Sequence, residues 1–179
     1  MIVNGGDVSA LFLEFSRRKL LEHYWPRLRA SVETLTDEQV WWRPNDASNS
    51  VGNLVLHLNG NVRQWLIDSF EGREDKRDRP AEFAAQDGMT AAELLESLSA
   101  TMDDAGRVFD KLTEKDLVTW SDIQGYHVSG LAAVYQVVEH FAMHYGQIAY
   151  IAKSLSGRDL AFYRELAKTG RTDDSAKLP

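Results

Sequence analysis

The sequence predicts an all-α protein folded as a four-helix bundle. Three observations carry that expectation. Four long stretches repeat apolar residues at helical spacing, roughly 8–32, 51–70, 90–112 and 130–155. Each is preceded by a side chain suited to capping a helix. Long polar connections separate them, so the helices pack either antiparallel or with crossover connections.

Composition bounds the rest. The chain has 179 residues, 44% of them apolar and 26% charged, ordinary values for a soluble globular protein. That length fits one domain with a single core. Residues 1–168 are read as that domain, and the polar residues 169–179 as a disordered tail. A formal net charge of -7 argues against a nucleic-acid surface, which needs clustered Lys and Arg. Arg73, Lys76, Arg77 and Arg79 form a small basic group, but Asp75 and Asp78 interrupt it, and it reads as a solvated loop. With no cysteine there is no disulfide, thiolate ligand or Cys nucleophile, so any transition metal falls to His and carboxylate. No run approaches the ~20 apolar residues of a membrane span. The first residues lack the basic and apolar regions of a signal peptide, so the expected setting is the cytoplasm.

In the first helix Leu11, Phe15, Leu20, Tyr24 and Leu28 recur at helical spacing, and Asp7 or Ser9 can cap it. Pro26 lies inside this run and should bend or interrupt it, because proline has no amide hydrogen. His23 reads as a partly exposed helical histidine. In the connector that follows, Thr36 and Gln39 have capping-box spacing and open one short turn. Trp41 and Trp42 come next and are expected to plug the end of the bundle. Arg43-Pro44-Asn45-Asp46 is a turn.

Asn49-Ser50 caps the second helix, whose stripe is Val51, Leu54, Val55, Leu58, Val62, Trp65, Leu66 and Phe70. His57 lies beside that stripe, with Asn53 and Asn61 one turn to either side. Polar groups so placed need partners if buried. Residues 71–88 read as a charged loop. Thr90, with Glu93 three residues on, caps a third helix that carries no histidine and is assigned a structural role. Residues 113–127 read as an irregular connector, with His127 solvated. Ser129 caps the last helix, whose wide apolar arc predicts that it is the most buried, and Gly157 ends it. Residues 159–168 could add one short helix.

The chemistry concentrates in Glu139-His140-Phe141-Ala142-Met143-His144-Tyr145-Gly146-Gln147-Ile148. Residues four apart on a helix share a face, so His140 and His144 can grip one divalent cation. His57 is the best candidate for a third ligand. Three imidazoles hold zinc while leaving a fourth position for water or substrate, and imidazole also suits nickel, iron and manganese. Glu139, Asn53, Asn61, Tyr145 and Gln147 are candidates to orient the ligands. The competing reading is a coincidental His-x-x-x-His on an amphipathic helix, without the Glu of a His-Glu-x-x-His protease motif.

These residues carry a resemblance. The stretch from Asn49 through His57 to Leu58 resembles the second-helix start of the DinB superfamily. His140 and His144 resemble its last-helix pair, and Tyr145-Gly146-Gln147-Ile148 its ending. Gly60-Asn61 and Arg77-Asp78-Arg79-Pro80-Ala81-Glu82-Phe83 resemble an uncharacterised branch of that superfamily. The resemblance spans residues 8–155. It implies a bundle running up-down-down-up and a divalent metal site on His57, His140 and His144, with zinc or nickel first and iron or manganese as alternatives. It further implies a homodimer acting on a small molecule, while the net charge and the lack of a long apolar run argue against a nucleic-acid or membrane partner. Characterised relatives include transferases and isomerases that use low-molecular-weight thiols. The expected activity is therefore a metal-dependent thiol S-transferase or hydrolase. The alternative is a non-catalytic metal- or ligand-binding dimer. The pocket is expected between the bundle ends and the loops carrying Trp41, Trp42, Trp120 and Tyr126, with Glu139 as a candidate general base.

Overall fold

The structure is a computed structural model, and it describes residues 7–162. Asp7 accepts a hydrogen bond from the Ser9 amide and opens α1, residues 8–32. This helix joins an α-helical Val8–Arg17, a π-helical Arg18–Tyr24 and an α-helical Trp25–Val32. Pro26 does not interrupt it. The Trp25 amide reaches back five residues, to the Leu20 carbonyl, so the wider turn accommodates a residue that has no amide hydrogen.

The capping box of Thr36 and Gln39 opens α2, Asp37–Trp41. A second box, Ser50 with Asn53, opens α3, residues 51–71, which contains a further π segment at Arg63–Asp68. The stretch expected to be loop then forms α4, Arg79–Ala84, capped by Asp78. Thr90 and Glu93 box the start of α5, Ala91–Phe109. The second connector is also more ordered than its sequence suggests. It forms α6, Glu114–Val118, and a hairpin of β1, Trp120–Ile123, with β2, Tyr126–Ser129, paired antiparallel in the register Trp120 to Ser129. Its turn places Gln124 at φ 54° and Gly125 at φ 82°, the pair of positive angles that suits a right-twisted ribbon. Ser129 caps α7, Gly130–Ser156, and Gly157 ends it at φ 64°. Residues 159–162 are not helical, and the rest of the expected short helix and the tail lie outside the described residues.

Side-chain neighbours define the helix directions. Tyr24 of α1 meets Tyr145 of α7, and the start of α1 packs on α6 just before α7 begins, so α1 and α7 run parallel. His57 meets His140, and Phe70 meets Gly130, so α3 runs against α7. Asn59 bonds Ser97 and Arg63 pairs with Asp104, so α3 and α5 run together. Arg17 pairs with Asp110, and Leu21 touches Gly106, so α5 opposes α1. The result is up-down-down-up.

The core gathers Leu20, Leu28 and Val32 of α1, Leu58 and Leu66 of α3, Leu98 of α5 and Val134, Phe141 and Ile148 of α7, all at 0% exposure. Each such side chain contributes roughly 1.5–3 kcal/mol through burial. The most buried helix is α3 rather than α7. Nine of the 12 residues in Val51–Val62 are buried, whereas Leu131, Tyr135, Met143 and Tyr150 of α7 are exposed. The cause is position: α3 packs against α4, α5 and α7, which leaves it little free surface. No helix among the described residues is long and apolar enough to cross a membrane.

Candidate metal centre

The antiparallel pairing of α3 and α7 brings His57 across to His140 and His144. His57 is buried, and its Nε2 lies 2.8 Å from Nε2 of His140. The His144 ring centre is 5.1 Å from that of His57 and 4.4 Å from that of His140. One ring nitrogen from each of the three lies within 4.8 Å of the others.

The hydrogen bonds around the rings set their tautomers. Glu82 Oε2 is 2.9 Å from His57 Nδ1. An ionised carboxylate only accepts, so Nδ1 carries the hydrogen and Nε2 keeps its lone pair. Gln147 Oε1 is 2.7 Å from His144 Nδ1, which likewise leaves Nε2 of His144 free. His140 donates its Nε2 hydrogen to His57. Burial pushes the His140 pKa down to about 3, helped by the neighbouring His144 and His57. Burial also lowers His144, against the opposing effect of its bond to Gln147. Imidazole lone pairs are the donor set a divalent ion requires, and His140 would offer its Nε2 lone pair to an ion by carrying its hydrogen on Nδ1 instead. The three residues therefore fit a metal ion and could bind one.

Behind His57 stands a buried ion pair. Arg77 donates from Nε to Glu82 Oε1 at 2.6 Å and from a terminal nitrogen to Oε2 at 2.8 Å. Burial on its own raises the Glu82 carboxyl, but hydrogen bonds from Arg77 and His57 outweigh it and hold the group below its usual range. Arg77 also donates to Gln64 Oε1 at 2.9 Å. Gln64 in turn donates to Asp75 Oδ2 at 2.5 Å. Gly60 makes room for this pair, because a Cβ there would land on Glu82 Oε1. Asn53 ties α4 to α3 by donating to the carbonyls of Glu82 and Ala85, each at 2.8 Å.

The family model described as "Protein of unknown function (DUF1572)" matches residues 7–165. The chain belongs to this family. DUF1572 is a DinB-like family, and solved structures agree on the fold. A conserved protein from Enterococcus faecalis superposes with a TM-score of 0.68 at 17% identity, covering 81% of this chain and 97% of that one. A DinB-like protein from Bacillus subtilis, YjoA, gives 0.62 at 19% identity, covering 80% and 93%. One from Bacillus cereus gives 0.59 at 16%, covering 79% and 91%. Among curated proteins none matches.

Within this DUF1572 chain the other candidates scatter. Gln147 does orient His144, but Glu139 is exposed and Tyr145 packs on Tyr24. Asn53 serves the backbone of α4, and Asn61 Oδ1 is buried without a partner among the described residues. His23 faces Arg27, and exposed His127 pairs with Asp122. The tryptophans do not wall one pocket. Trp41 packs on Gly52 and donates to the Met89 carbonyl, so it does plug that end, while Trp42 is exposed. Tyr126 packs on Trp65, thirteen residues further along α3, which is roughly 20 Å at helical rise. Trp120 stacks on His127 in the same hairpin.

Sequence reasoning missed Glu82 and Arg77. The basic group is not simply a solvated loop, since the Arg77 side chain is only 5% exposed. The signal that could have found them is the polar face Asn53, His57 and Gln64 on a buried helix, which demands partners from another element. The Arg77–Glu82 pair also borders an open cavity of about 680 Å³ lined by Leu56, Arg63 and Ala81. None of the three histidines lines that cavity.

Proposed function

We propose that this DUF1572 protein is a divalent-metal protein in which His57, His140 and His144 hold the ion, with zinc or nickel the first expectation. It would act on a small molecule as a thiol S-transferase or a hydrolase. The observation that carries this reading is the convergence of three imidazole nitrogens within 4.8 Å, two with their opposite nitrogen already bonded to an acceptor. Three neutral ligands leave the charge of the ion uncancelled, which favours an anionic ligand such as a thiolate in the open position. A divalent ion there supplies Lewis acidity to that ligand. The protein's own part is to disfavour the charged forms of His140 and His144 by burial and to fix His57 and His144 through Glu82 and Gln147. A homodimer in the cytoplasm completes this reading.

One observation favours the second reading, a metal-binding protein without turnover. Glu82 is engaged by Arg77 and His57, and Glu139 is exposed, so neither stands ready as a general base. The test begins with metal content by plasma mass spectrometry on untagged protein and on its His140→Ala variant. Stoichiometric metal in the first and none in the second is the expected result. Turnover of a low-molecular-weight thiol with an electrophile then separates enzyme from binder. A metal-free wild type, even after dialysis against zinc, nickel and manganese, would discard both readings.

A further inference from the structure

His57 differs from its two partners in what holds it. His144 leans on Gln147 of its own helix, whereas His57 leans on a carboxylate delivered by a separate short helix and clamped by a buried arginine. Several features converge on that one contact. Asn53 fastens the backbone of α4 to α3, Asp78 caps α4 by accepting from the Ala81 amide, and Gly60 clears the space in which the carboxylate sits. Arg77 binds both oxygens of Glu82, which fixes the carboxylate plane as well as its position. One Arg77 nitrogen also lies 3.0 Å from His57 Nδ1. The carboxylate decides the tautomer there: Oε2 has no hydrogen to give, so Nδ1–H is assigned to Glu82, and that Arg77 nitrogen has Glu82 Oε2 and the His57 carbonyl as acceptors for its two hydrogens.

We propose that Glu82 and Arg77 form the outer part of the metal centre. Glu82 is the positioning residue that commits His57 to its Nδ1–H tautomer, and Arg77 balances its charge so that the imidazoles stay the only ligands. This rests on the metal reading above. Without Glu82, nothing among the described residues is placed to hold the Nδ1 hydrogen, and the Nε2 lone pair needed by the ion is no longer guaranteed. Without Arg77, a buried carboxylate would stand unpaired against a ligand ring. Outer partners of this kind are worth about 10–100-fold in metal affinity.

The test uses three chains. Wild type is compared with an apolar double variant, Arg77→Met with Glu82→Leu, and with an acceptor-retaining one, Arg77→Met with Glu82→Gln. Replacing both charges together avoids a stranded buried ion, so these variants are chosen to fold, and circular dichroism melts confirm it. Two quantities are read: the His57 tautomer in the metal-free protein, from imidazole nitrogen-15 shifts, and zinc affinity, by competition with a chromogenic chelator. Wild type should show Nδ1–H. The Met/Leu chain should lose that preference and bind zinc about 10–100-fold more weakly, while the Met/Gln chain keeps the tautomer and most of the affinity. A purely structural pair would not produce that split. Zinc binding by the Met/Leu chain as tight as wild type would overturn the positioning role and leave the metal site standing. Failure of wild type to bind zinc, nickel or manganese would overturn both.

Discussion

At the scale of residues, His23 and His140 are kept neutral by the same cause. Burial disfavours the imidazolium, and nearby cations add to it: Arg27 and Lys19 lower His23 to about 4. An Arg27 nitrogen lies 2.8 Å from His23 Nε2, so that ring nitrogen must accept. The consequence for stability has a definite sign. The folded chain binds this proton less readily than the unfolded one, whose histidine titrates at its ordinary value near 6.5. The contribution is therefore complete above that value and is lost as pH falls toward the folded value of about 4. Urea unfolding of the metal-free protein across this window should show stability falling with pH. A His23→Gln variant, still able to accept from Arg27, should lose less over the same window. Parallel curves for the two chains would show that His23 is not a source of the acid sensitivity.

The same scale explains what could be read in advance. His140 and His144 were legible because four residues make one helical turn, and His57 because it interrupts an apolar stripe with a polar side chain that burial makes costly. Glu82 and Arg77 were not legible. Their contact with His57 spans 25 and 20 residues of chain, and the stretch around them alternates charges as a solvated loop does. Nothing in that local pattern reports that Gly60 has opened a space for them.

At the scale of elements, caps were the most readable feature, and π turns the least. The buried side of α1 steps through Leu13, Ser16, Leu20, Trp25, Leu28 and Val32. The five-residue step from Leu20 to Trp25 coincides with the π turn. A periodicity counted at three and four residues instead selects Leu11, Phe15 and Tyr24; the structure leaves the first two exposed and Tyr24 only partly buried. The hairpin and α4 are too short for periodicity to register, and Gln124-Gly125 is a weak turn signal beside Asn-Gly. The box at the start of α3 has a function beyond starting a helix, because Asn53 belongs both to the cap and to the anchoring of α4. Ser50→Ala should cost about 1–2 kcal/mol in a chemical unfolding measurement, the upper half of the usual range for a lost cap, since Ser50 is fully buried. A loss below about 0.5 kcal/mol would mean that Asn53 holds α4 without help from the cap.

At the scale of the whole molecule, the three histidines act as a latch between α3 and α7. His57 and His140 are 83 residues apart in sequence and on helices that run in opposite directions. An ion bound there ties the second long helix to the last and closes the 83 residues between them into one loop. Binding to the folded state alone stabilises it by mass action, about 2.7 kcal/mol when free zinc is a hundred times its dissociation constant. Thermal unfolding followed by circular dichroism should therefore shift upward with zinc and return on adding a chelator. His144→Ala should abolish most of the shift, because two imidazoles hold the ion poorly. An equal shift in that variant would move zinc binding to another place, with the exposed pair of His127 and Asp122 the first to examine. No shift in either chain would leave the triad as a hydrogen-bonded cluster, with Glu82 and Gln147 serving to satisfy its buried rings.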